Sequence, residues 1–432
     1  MPGEVSVGQR ICIGLAGISR PVWAILAVAL ILRLAVVGAT WDYRPATDAA
    51  DFHRHAVSIV EGEGYPDSDI AAGGGETAFR PPAYPVFLAS VYEVTGPKVN
   101  AARLVQSLLG VLTVALIGLI ALRLWGRRVA LIALGLAAIY PALAISDSAL
   151  ISEPLFLPLE LGALAAVVEN RRSPHRYRWL LLAGALAGLL TLTRSNGVVL
   201  LLPLALAVWQ APRLSRRALA APAMLVALAL LVVAPWTIRN AVAMDSFVPV
   251  STQAGYAAAG TYNETSRDDP TYPAAWRPPN LVNDFDDVFA SGSRLDEVEA
   301  SAELRQRAAD YLSNHPDYLL EVGYWNTVRL FDLTGTGFGK FAAGFVGLDP
   351  SLAEVGILSF YPTAVLALIG AFTTAARRSP LYVWLFPVLI VISVVLISGS
   401  SRYRTPVEPF LVLLAALAVD AGWRRWRPIR TP

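Results

Sequence analysis

The chain has 432 residues, of which 55% are hydrophobic and 16% are charged, and its formal net charge is +2. Because soluble domains carry about 25% charged residues, this composition excludes an ordinary soluble protein. The small net charge also gives no indication of a nucleic-acid partner, since the arginines cluster beside apolar segments.

Several apolar stretches approach or reach the roughly 20 residues that an α-helix needs to cross a bilayer. We therefore predict an all-α polytopic membrane protein with ten transmembrane helices. The predicted spans are 22–40, 102–122, 129–146, 152–168, 178–193, 197–211, 218–236, 352–374, 380–398 and 406–422. The fifth and sixth are short, which is tolerated when a helix packs inside a bundle.

Arginines follow every second span and indicate the orientation of the chain. The clusters comprise Arg123, Arg127, Arg128, Arg171, Arg172, Arg176, Arg178, Arg213, Arg216, Arg217, Arg377, Arg378, Arg424, Arg425, Arg427 and Arg430. Since basic residues concentrate in cytoplasmic loops, ten spans place these clusters and both termini in the cytoplasm.

The spans divide the chain into five parts. A cytoplasmic N-terminus covers 1–21, and spans 1 to 7 cover 22–236, including a first outer loop at 41–99. A second outer loop covers 237–351, spans 8 to 10 cover 352–422, and a basic cytoplasmic tail covers 423–432. Both outer loops, which are periplasmic in this interpretation, are rich in acidic residues.

Within the first outer loop, apolar residues at helical spacing predict a helix over 49–61, and the glycines of 62–75 predict a flexible turn region. Arg80-Pro81-Pro82 cannot lie inside a regular helix. The stretch 83–95 is apolar but too short for a span, and counting it would move the arginine clusters outside. We therefore predict an interfacial helix there.

The second outer loop is predicted to be irregular up to about residue 290, because it is rich in Gly, Pro, Asn and Asp. An amphipathic helix is predicted over 295–312, broken by His315-Pro316, and another over 318–332. The aromatic residues of the latter are typical of a helix that lies on a membrane surface. Cys12 is the single cysteine, so no disulfide forms within the chain.

Asp48 and Asp51 lie three residues apart at the start of the first loop helix, so both side chains can line one cavity. A carboxylate there can act as a general base toward a hydroxyl group. Burial at a partly dry interface would raise its pKa toward neutrality. Helix capping by Thr47 or Asp48 explains the same residues equally well, and the sequence leaves both interpretations open.

Several arginines fall at the outer ends of spans or in outer turns, where few are expected. Guanidinium groups bind phosphate in a bidentate fork, and a lipid-phosphate leaving group needs such charge. For one arginine, snorkelling or pairing with an acid is the simpler explanation. For the whole set, phosphate binding is the better one. The set comprises Arg80, Arg103, Arg194, Arg239, Arg402 and Arg404.

Asp147 and Glu153 lie in the short outer turn between spans 3 and 4. They are interpreted as solvated caps, metal ligands or partners of an arginine. His53 and His55 are alternate residues of one helix and point apart, so joint metal binding is not expected. One of them could face the cavity, but a surface location is favoured.

Short motifs occur in order along most of the chain. They are Thr-Asp-Ala-Ala-Asp-Phe-His-Arg-His-Ala at 47–56, Arg-Pro-Pro-Ala-Tyr-Pro at 80–85, Ser-Glu-Pro-Leu-Phe at 152–156, Thr-Arg-Ser-Asn at 193–196, Pro-Trp-Thr-Ile-Arg-Asn at 235–240, Phe-Val-Pro-Val-Ser-Thr at 247–252 and Arg-Tyr-Arg-Thr-Pro-Val-Glu-Pro-Phe at 402–410. Together they resemble the GT-C superfamily of polytopic glycosyltransferases. Bacterial members of glycosyltransferase family 39, akin to protein O-mannosyltransferases and the lipid A aminoarabinose transferase, are the most similar.

The resemblance implies a GT-C-type helix bundle, a polyprenyl-phosphate sugar donor and inversion at the anomeric carbon. It implies that the first outer loop supplies the catalytic acid, with Asp48 first and Asp51 second. Many relatives have Asp-Glu where this chain has Asp48-Ala49. The second carboxylate is therefore left open between Asp51 and Glu153. Some members need a divalent cation and others do not. No cofactor is assigned, and Asp48, Asp51 and Glu153 would be the ligands of a metal.

The sequence thus predicts an inner-membrane hexosyl- or pentosyltransferase that acts on its outer face. Asp48 would deprotonate a hydroxyl of a glycan, lipid or protein acceptor. The residues expected to bind the donor phosphate are Arg80, Arg194, Arg402 and Arg404. Those expected to line the substrate groove are Tyr84, Glu153, Trp236 and Tyr403.

Two alternatives remain. A transporter or flippase of a lipid-linked glycan would have polar residues near mid-bilayer and paired repeats. Arg33 and Glu160 are the main central charges and no repeat is evident, so chemistry at the membrane surface is favoured. The other alternative is a scaffold of envelope assembly without catalytic activity.

Overall fold

The computed structural model describes residues 20–173, 176–209, 215–290 and 293–426. Cys12, Arg213, Arg427 and Arg430, together with the side chain of Arg217, lie outside this described part. The described chain is helical and contains no β-strand.

Every predicted span coincides with a helix. These helices are Arg20–Ala39, Val99–Trp125, Arg127–Ile139, Glu153–Arg172, Arg176–Thr193, Leu201–Val208, Arg216–Ala243, Pro350–Ala371, Leu381–Val395 and Glu408–Trp426. Five segments are long and apolar enough to cross a membrane, namely Arg20–Ala39, Val99–Trp125, Ala218–Ala243, Pro350–Ala371 and Ser401–Trp426. The protein is therefore an integral membrane protein, and the number of ten crossings stays a prediction.

Three predicted spans are interrupted or begin irregularly. Arg127–Ile139 ends before Pro141, which starts the separate short helix Pro141–Ser146 because proline cannot donate to the preceding turn. The sixth span starts as the 3-10 helix Ser195–Leu200, and a 3-10 helix over Ser401–Val407 precedes the tenth. Both 3-10 helices lie at the end of the bundle where the outer loops pack.

The arginine-rich turns meet at the opposite end of the bundle. The Arg128 guanidinium lies 2.9 Å from the Asp420 carboxylate, which joins the turn after span 2 to the end of span 10. Arg123 pairs with Glu169, which joins the same turn to the one after span 4. This arrangement agrees with the expectation that these clusters share one side of the membrane.

The first outer loop contains the helices Thr47–Glu61 and Ala83–Thr95, so both helices predicted there are confirmed. They pack against each other through Phe52 and Tyr84, whose ring centroids are 4.9 Å apart in an edge-to-face arrangement. An interfacial position of Ala83–Thr95 stays a prediction.

The second outer loop is more helical than its composition suggests. The two long helices predicted there are confirmed as Glu297–Asn314 and Tyr318–Leu330. The part expected to be irregular contains short helices, namely Gln253–Ala259, Glu264–Arg267, Pro279–Leu281, Asn283–Phe285 and Asp286–Phe289, and Gly337–Gly344 follows later.

Glu297 connects the two outer loops through hydrogen bonds. Its Oε1 accepts hydrogen bonds from the Ala78 amide at 3.1 Å and from the Thr252 hydroxyl at 2.6 Å. The Thr77 hydroxyl donates to Oε2. Because these partners come from both loops, the loops form one layer over the outer ends of the helices.

Arg33 and Glu160, the two main charged residues expected near the middle of the bilayer, have different surroundings. Arg33 Nε donates to Asp147 Oδ2 at 2.7 Å, so Asp147 is an arginine partner and not a solvated cap. Gly110 makes room for this pair, because a Cβ there would lie 2.0 Å from Asp147 Oδ2. Glu160 is buried, and its carboxyl group has no hydrogen-bond partner within the described ranges.

Candidate active site

A cavity of about 350 Å³ lies between the outer ends of the helices and the layer of outer loops. The first outer loop contributes Asp48, Phe52, Phe79, Arg80 and others to its lining. The remaining lining comes from the helix bundle and from the second outer loop. The cavity therefore exists only where three distant parts of the chain meet.

Asp48 lies in the lining with both carboxylate oxygens bound. Oδ1 accepts from Arg80 Nη2 at 2.7 Å, and Oδ2 accepts from Arg402 Nη1 at 2.7 Å. The N-cap of its helix is Ala46, without a side-chain cap, so capping by Thr47 or Asp48 is wrong. Thr47 has a φ of 35°, which is strained for a β-branched residue.

The pKa of Asp48 is shifted in the direction opposite to the one expected from the sequence. Burial raises its pKa, but the charges of Arg80 and Arg402 outweigh burial, and the pKa lies well below its ordinary value. The expected shift toward neutrality is therefore wrong in the resting site. The reason is that Asp48, although its side chain is 23% exposed, is enclosed together with two guanidinium groups, so its carboxylate is ionised and weakly basic.

Asp51 is placed behind Arg80 and does not line the cavity. Its Oδ2 accepts from Arg80 Nε at 2.6 Å and from the Ser68 hydroxyl at 2.7 Å, and its side chain is only 3% exposed. Burial raises its pKa, but Arg80, His55 and the hydrogen bond from Ser68 together outweigh burial, so the pKa is lowered. His55 is also buried here, with Nδ1 2.7 Å from the Asp51 carbonyl oxygen, contrary to the surface location expected for it.

Glu153 is fully buried and joins two arginines of the lining. It accepts from Arg194 Nη1, and its Oε1 lies 2.8 Å from Arg402 Nε. Glu153 is not among the residues that line the cavity, and its carboxylate contacts the guanidinium groups of two residues that do. Its position instead holds both arginines at the cavity wall.

Three of the four arginines expected to bind phosphate, Arg80, Arg194 and Arg402, line the cavity. Asp48, Asp51 and Glu153 pair with these three guanidinium groups, so the charges of these six residues balance. A bound phosphate would find N–H groups of Arg194 without a carboxylate partner in the described chain, whereas at Arg402 it would compete with Asp48 and Glu153.

Arg404 is the exception among the predicted phosphate ligands. Its guanidinium donates to Asp332 Oδ2 at 2.7 Å and to Glu408 Oε1 at 2.6 Å, and it lies 3.6 Å from the ring centroid of Phe360. It points away from the 350 Å³ cavity, because Arg402 and Arg404 project in different directions from one 3-10 helix. Arg404 fastens the end of the second outer loop to the last helix.

Of the three aromatic residues expected to line the groove, one lines the cavity and two do not. Tyr403 lines the cavity, with its ring centroid 5.1 Å from the Arg194 guanidinium carbon. Tyr84 and Trp236 do not line it. The Tyr84 hydroxyl donates to a buried side-chain amide, and the Trp236 indole donates to the Val250 carbonyl at 2.7 Å, so packing within the protein occupies both.

The other outer arginines also have structural partners. Arg103 donates to the backbone carbonyls of Ser148 at 2.6 Å and Thr40 at 2.7 Å. Arg239 donates to the Thr77 carbonyl at 2.7 Å. Neither lines the cavity, so the phosphate interpretation applies to a subset of the arginines.

Further lining residues come from a motif noted in the sequence and from residues that the sequence did not single out. The 193–196 motif contributes all four of its residues to the wall, and Ser393 faces it from span 9. Gln253, Tyr256 and Trp276 of the second outer loop complete the lining. No periodicity or motif surrounds Trp276, so the sequence offered no signal for it.

The three carboxylates that would be the ligands of a metal are paired with arginines in this structure. Within the described ranges, no group of three or more His, Cys, Asp or Glu side chains could hold an ion. Asp48, Asp51 and Glu153 each accept hydrogen bonds from guanidinium groups, which compete with a cation for the same lone pairs.

Comparisons with known proteins concern both sequence and fold. Residues 79–238 match the family model of dolichyl-phosphate-mannose-protein mannosyltransferase. No curated protein matches the chain. The fold is similar to the oligosaccharyltransferase AglB of the archaeon Archaeoglobus fulgidus in complex with an inhibitory peptide and a dolichol-phosphate. That match has a TM-score of 0.56 and 15% identity, and covers 95% of this chain and 52% of AglB.

A complex of the Archaeoglobus fulgidus oligosaccharyltransferase with Zn and sulfate gives a TM-score of 0.54 at 14% identity, covering 93% of this chain and 49% of that one. ArnT from Cupriavidus metallidurans bound to undecaprenyl phosphate gives a TM-score of 0.43 at 16% identity. That match covers 94% of this chain and 79% of ArnT. The chain thus spans about half the length of the oligosaccharyltransferase. The predicted GT-C fold is confirmed.

Proposed function

We propose that this chain, which has the fold of the GT-C superfamily, is an integral membrane glycosyltransferase. It transfers a sugar from a polyprenyl phosphate to an acceptor hydroxyl. The similar oligosaccharyltransferase is a complex with dolichol-phosphate, and the matching family model describes an enzyme that uses a dolichyl-phosphate sugar. Both observations support a lipid-phosphate donor.

The observation that carries the proposal is the contact between Asp48 and Arg402. These residues are 2.7 Å apart and line the same cavity, so a carboxylate and a phosphate ligand face one space. At about 350 Å³ the cavity is near the lower end of the roughly 300–1,000 Å³ of ligand pockets. It suits a sugar and a phosphate, while the prenyl chain remains in the bilayer.

In the proposed reaction, Asp48 accepts the proton of the acceptor hydroxyl as the oxygen attacks the anomeric carbon. The attack comes from the face opposite the phosphate, so the configuration inverts. The bond between the anomeric carbon and the phosphate oxygen breaks, and polyprenyl phosphate leaves with its electron pair. Arg194 and Arg402 stabilise the charge that develops on the phosphate.

Donor binding would also activate Asp48. Phosphate oxygens compete with Asp48 for the N–H groups of Arg402. When Arg402 turns to the phosphate, Asp48 loses one of the two guanidinium groups that lower its pKa and becomes a stronger base. Glu153 keeps Arg402 at the wall during this exchange, and Asp51 does the same for Arg80. The basicity of Asp48 thus increases when the donor binds.

The arginine-rich turns at the other end of the bundle support a cytoplasmic location for that end. The cavity then opens at the outer face of the inner membrane, and both termini are cytoplasmic. Acceptors at that face include envelope glycans, lipids and secreted proteins.

The test is the transfer of radiolabelled sugar from a panel of polyprenyl-phosphate sugars to membrane extracts. We expect wild type to use at least one donor, and Asp48→Asn to be slower by about 10²–10⁴-fold, as for loss of a general base. Asp69→Asn is the matched control, because Asp69 is in the same loop with an exposed side chain. Equal transfer by Asp48→Asn and wild type, or no transfer from any donor, would contradict the proposal.

A further inference from the structure

The cavity has two chemically distinct walls. Gln253, Tyr256 and Trp276 of the second outer loop form one wall, which we call the roof. The Tyr256 ring lies 5.1 Å from the Phe79 ring, and Phe79 lies 5.1 Å from the Arg80 guanidinium carbon. The roof is therefore continuous with the edge of the cavity that carries Asp48 and Arg80.

The opposite wall belongs to the helix bundle. Ser195, Asn196 and Ser393 line it, and the Asn196 amide donates to the Ser393 hydroxyl at 3.1 Å. This wall continues to Arg194 along the chain. These residues stand on helices of the membrane bundle, which is the side from which a lipid-linked donor would enter under the proposed function. The roof is formed by a loop outside the bundle.

Two roof side chains, Trp276 and Gln253, have groups in the cavity that could contact a ligand. The Trp276 ring lines the cavity without stacking on another aromatic ring of the described chain. It packs on the backbone of Gly260, where a Cβ would lie 2.3 Å from Trp276 Nε1. The Gln253 side-chain amide also lines the cavity, and no protein group in the described ranges hydrogen-bonds to it.

We propose that the roof binds a saccharide ring of the acceptor, so that the enzyme extends a glycan or a glycolipid. A sugar ring has an apolar C–H face, which suits the indole of Trp276, and a rim of hydroxyl groups, which suits the amide of Gln253. The roof has no charged residue and no open strand edge, which are features used to bind peptides. This inference rests on the proposed function and names the acceptor class for the same site.

The test is equilibrium binding of radiolabelled methyl glycosides of mannose, glucose and galactose to the full chain in a detergent without sugar. We expect at least one glycoside to bind wild type, and to bind Trp276→Ala and Gln253→Ala about tenfold more weakly, the order expected for one aromatic or polar contact. Trp276→Phe should lose less glycoside affinity, because phenylalanine keeps an aromatic ring. Tyr324→Ala is the control, because Tyr324 is an exposed aromatic of the same loop outside the cavity.

Polyprenyl phosphate binding is measured in the same samples, since it reports folding and tests the donor side independently. Its retention in Trp276→Ala, together with loss of the glycoside, supports the inference. Binding of a serine-containing tripeptide but of no glycoside, equal glycoside binding by Trp276→Ala, or a larger loss in Asn196→Ala than in Trp276→Ala would overturn it. Glycoside binding without any polyprenyl phosphate binding would instead contradict the proposed donor.

Discussion

Asp48 and Asp51 are close in sequence but are expected to respond differently to replacement by asparagine. Asp51 is 3% exposed, and its carboxylate is the partner of Arg80 Nε behind the cavity. Asp48 is 23% exposed and lines the cavity. We predict that Asp51→Asn mainly lowers stability, whereas Asp48→Asn mainly removes activity.

The contacts allow the two effects on stability to be compared. Removing one partner of a buried ion pair costs about 3–5 kcal/mol, which is the expectation for Asp51→Asn. After Asp48→Asn, Arg80 keeps Asp51 and Arg402 keeps Glu153, so a loss of about 1–2 kcal/mol is expected for this partly exposed site. With an unfolding entropy of about 2.1 cal/mol/K per residue, each kcal/mol lowers Tm by roughly 1 °C in a 432-residue chain.

Thermal unfolding of the purified variants in one detergent would measure this difference. The expected decrease in Tm is about 3–5 °C for Asp51→Asn and about 1–2 °C for Asp48→Asn. Asp69→Asn again serves as the control, because its side chain is 77% exposed. An equal or larger decrease for Asp48→Asn would refute the reasoning, since it would show that Asp48 has the supporting role assigned to Asp51.

The remaining predictions concern the arginines, the bundle and the outer layer. Arg402→Lys is expected to weaken polyprenyl phosphate binding severalfold, because lysine cannot form the bidentate fork, whereas Arg404→Lys should lower Tm and leave that affinity unchanged. Gly110→Ala is expected to reduce the yield of monodisperse protein, because its methyl group would clash with the Arg33 ion pair, and a normal yield would contradict this packing. Burial raises the pKa of Glu297, so the folded state binds its proton more tightly than the unfolded state, and its contribution to stability is lost as pH rises from about 4.5 through the folded pKa. Glu297→Gln should therefore make Tm less dependent on pH in that range, and an unchanged pH profile would contradict the assignment.

Much of the architecture could be predicted because it depends on local patterns. Apolar length located the membrane helices, and the helix Ala83–Thr95 begins after a proline pair and ends before Gly96, as the sequence suggests. The 193–196 motif, noted in the sequence for its resemblance to a family, lies in the cavity lining. The break before Pro141 was missed, because the apolar pattern continues across it.

The roles of individual site residues could not be predicted in the same way. Arg402 and Arg404 are two residues apart in one motif, yet one lines the cavity and the other pairs with Asp332 and Glu408. Sequence spacing cannot separate them, because the direction of each side chain depends on the 3-10 geometry and on the partners that the second outer loop brings.

The sequence by itself determined a helical membrane protein, and it predicted a division into bundle and outer loops and the aspartate and arginines of a candidate site. Each follows from hydrophobic length or from charge placed at the ends of spans. Only the tertiary structure decided that Asp48 meets Arg402 across 354 positions of the chain, and that its pKa is lowered. The sign of that shift depends on the charges nearest to the carboxylate, and chain folding alone brings those charges to it.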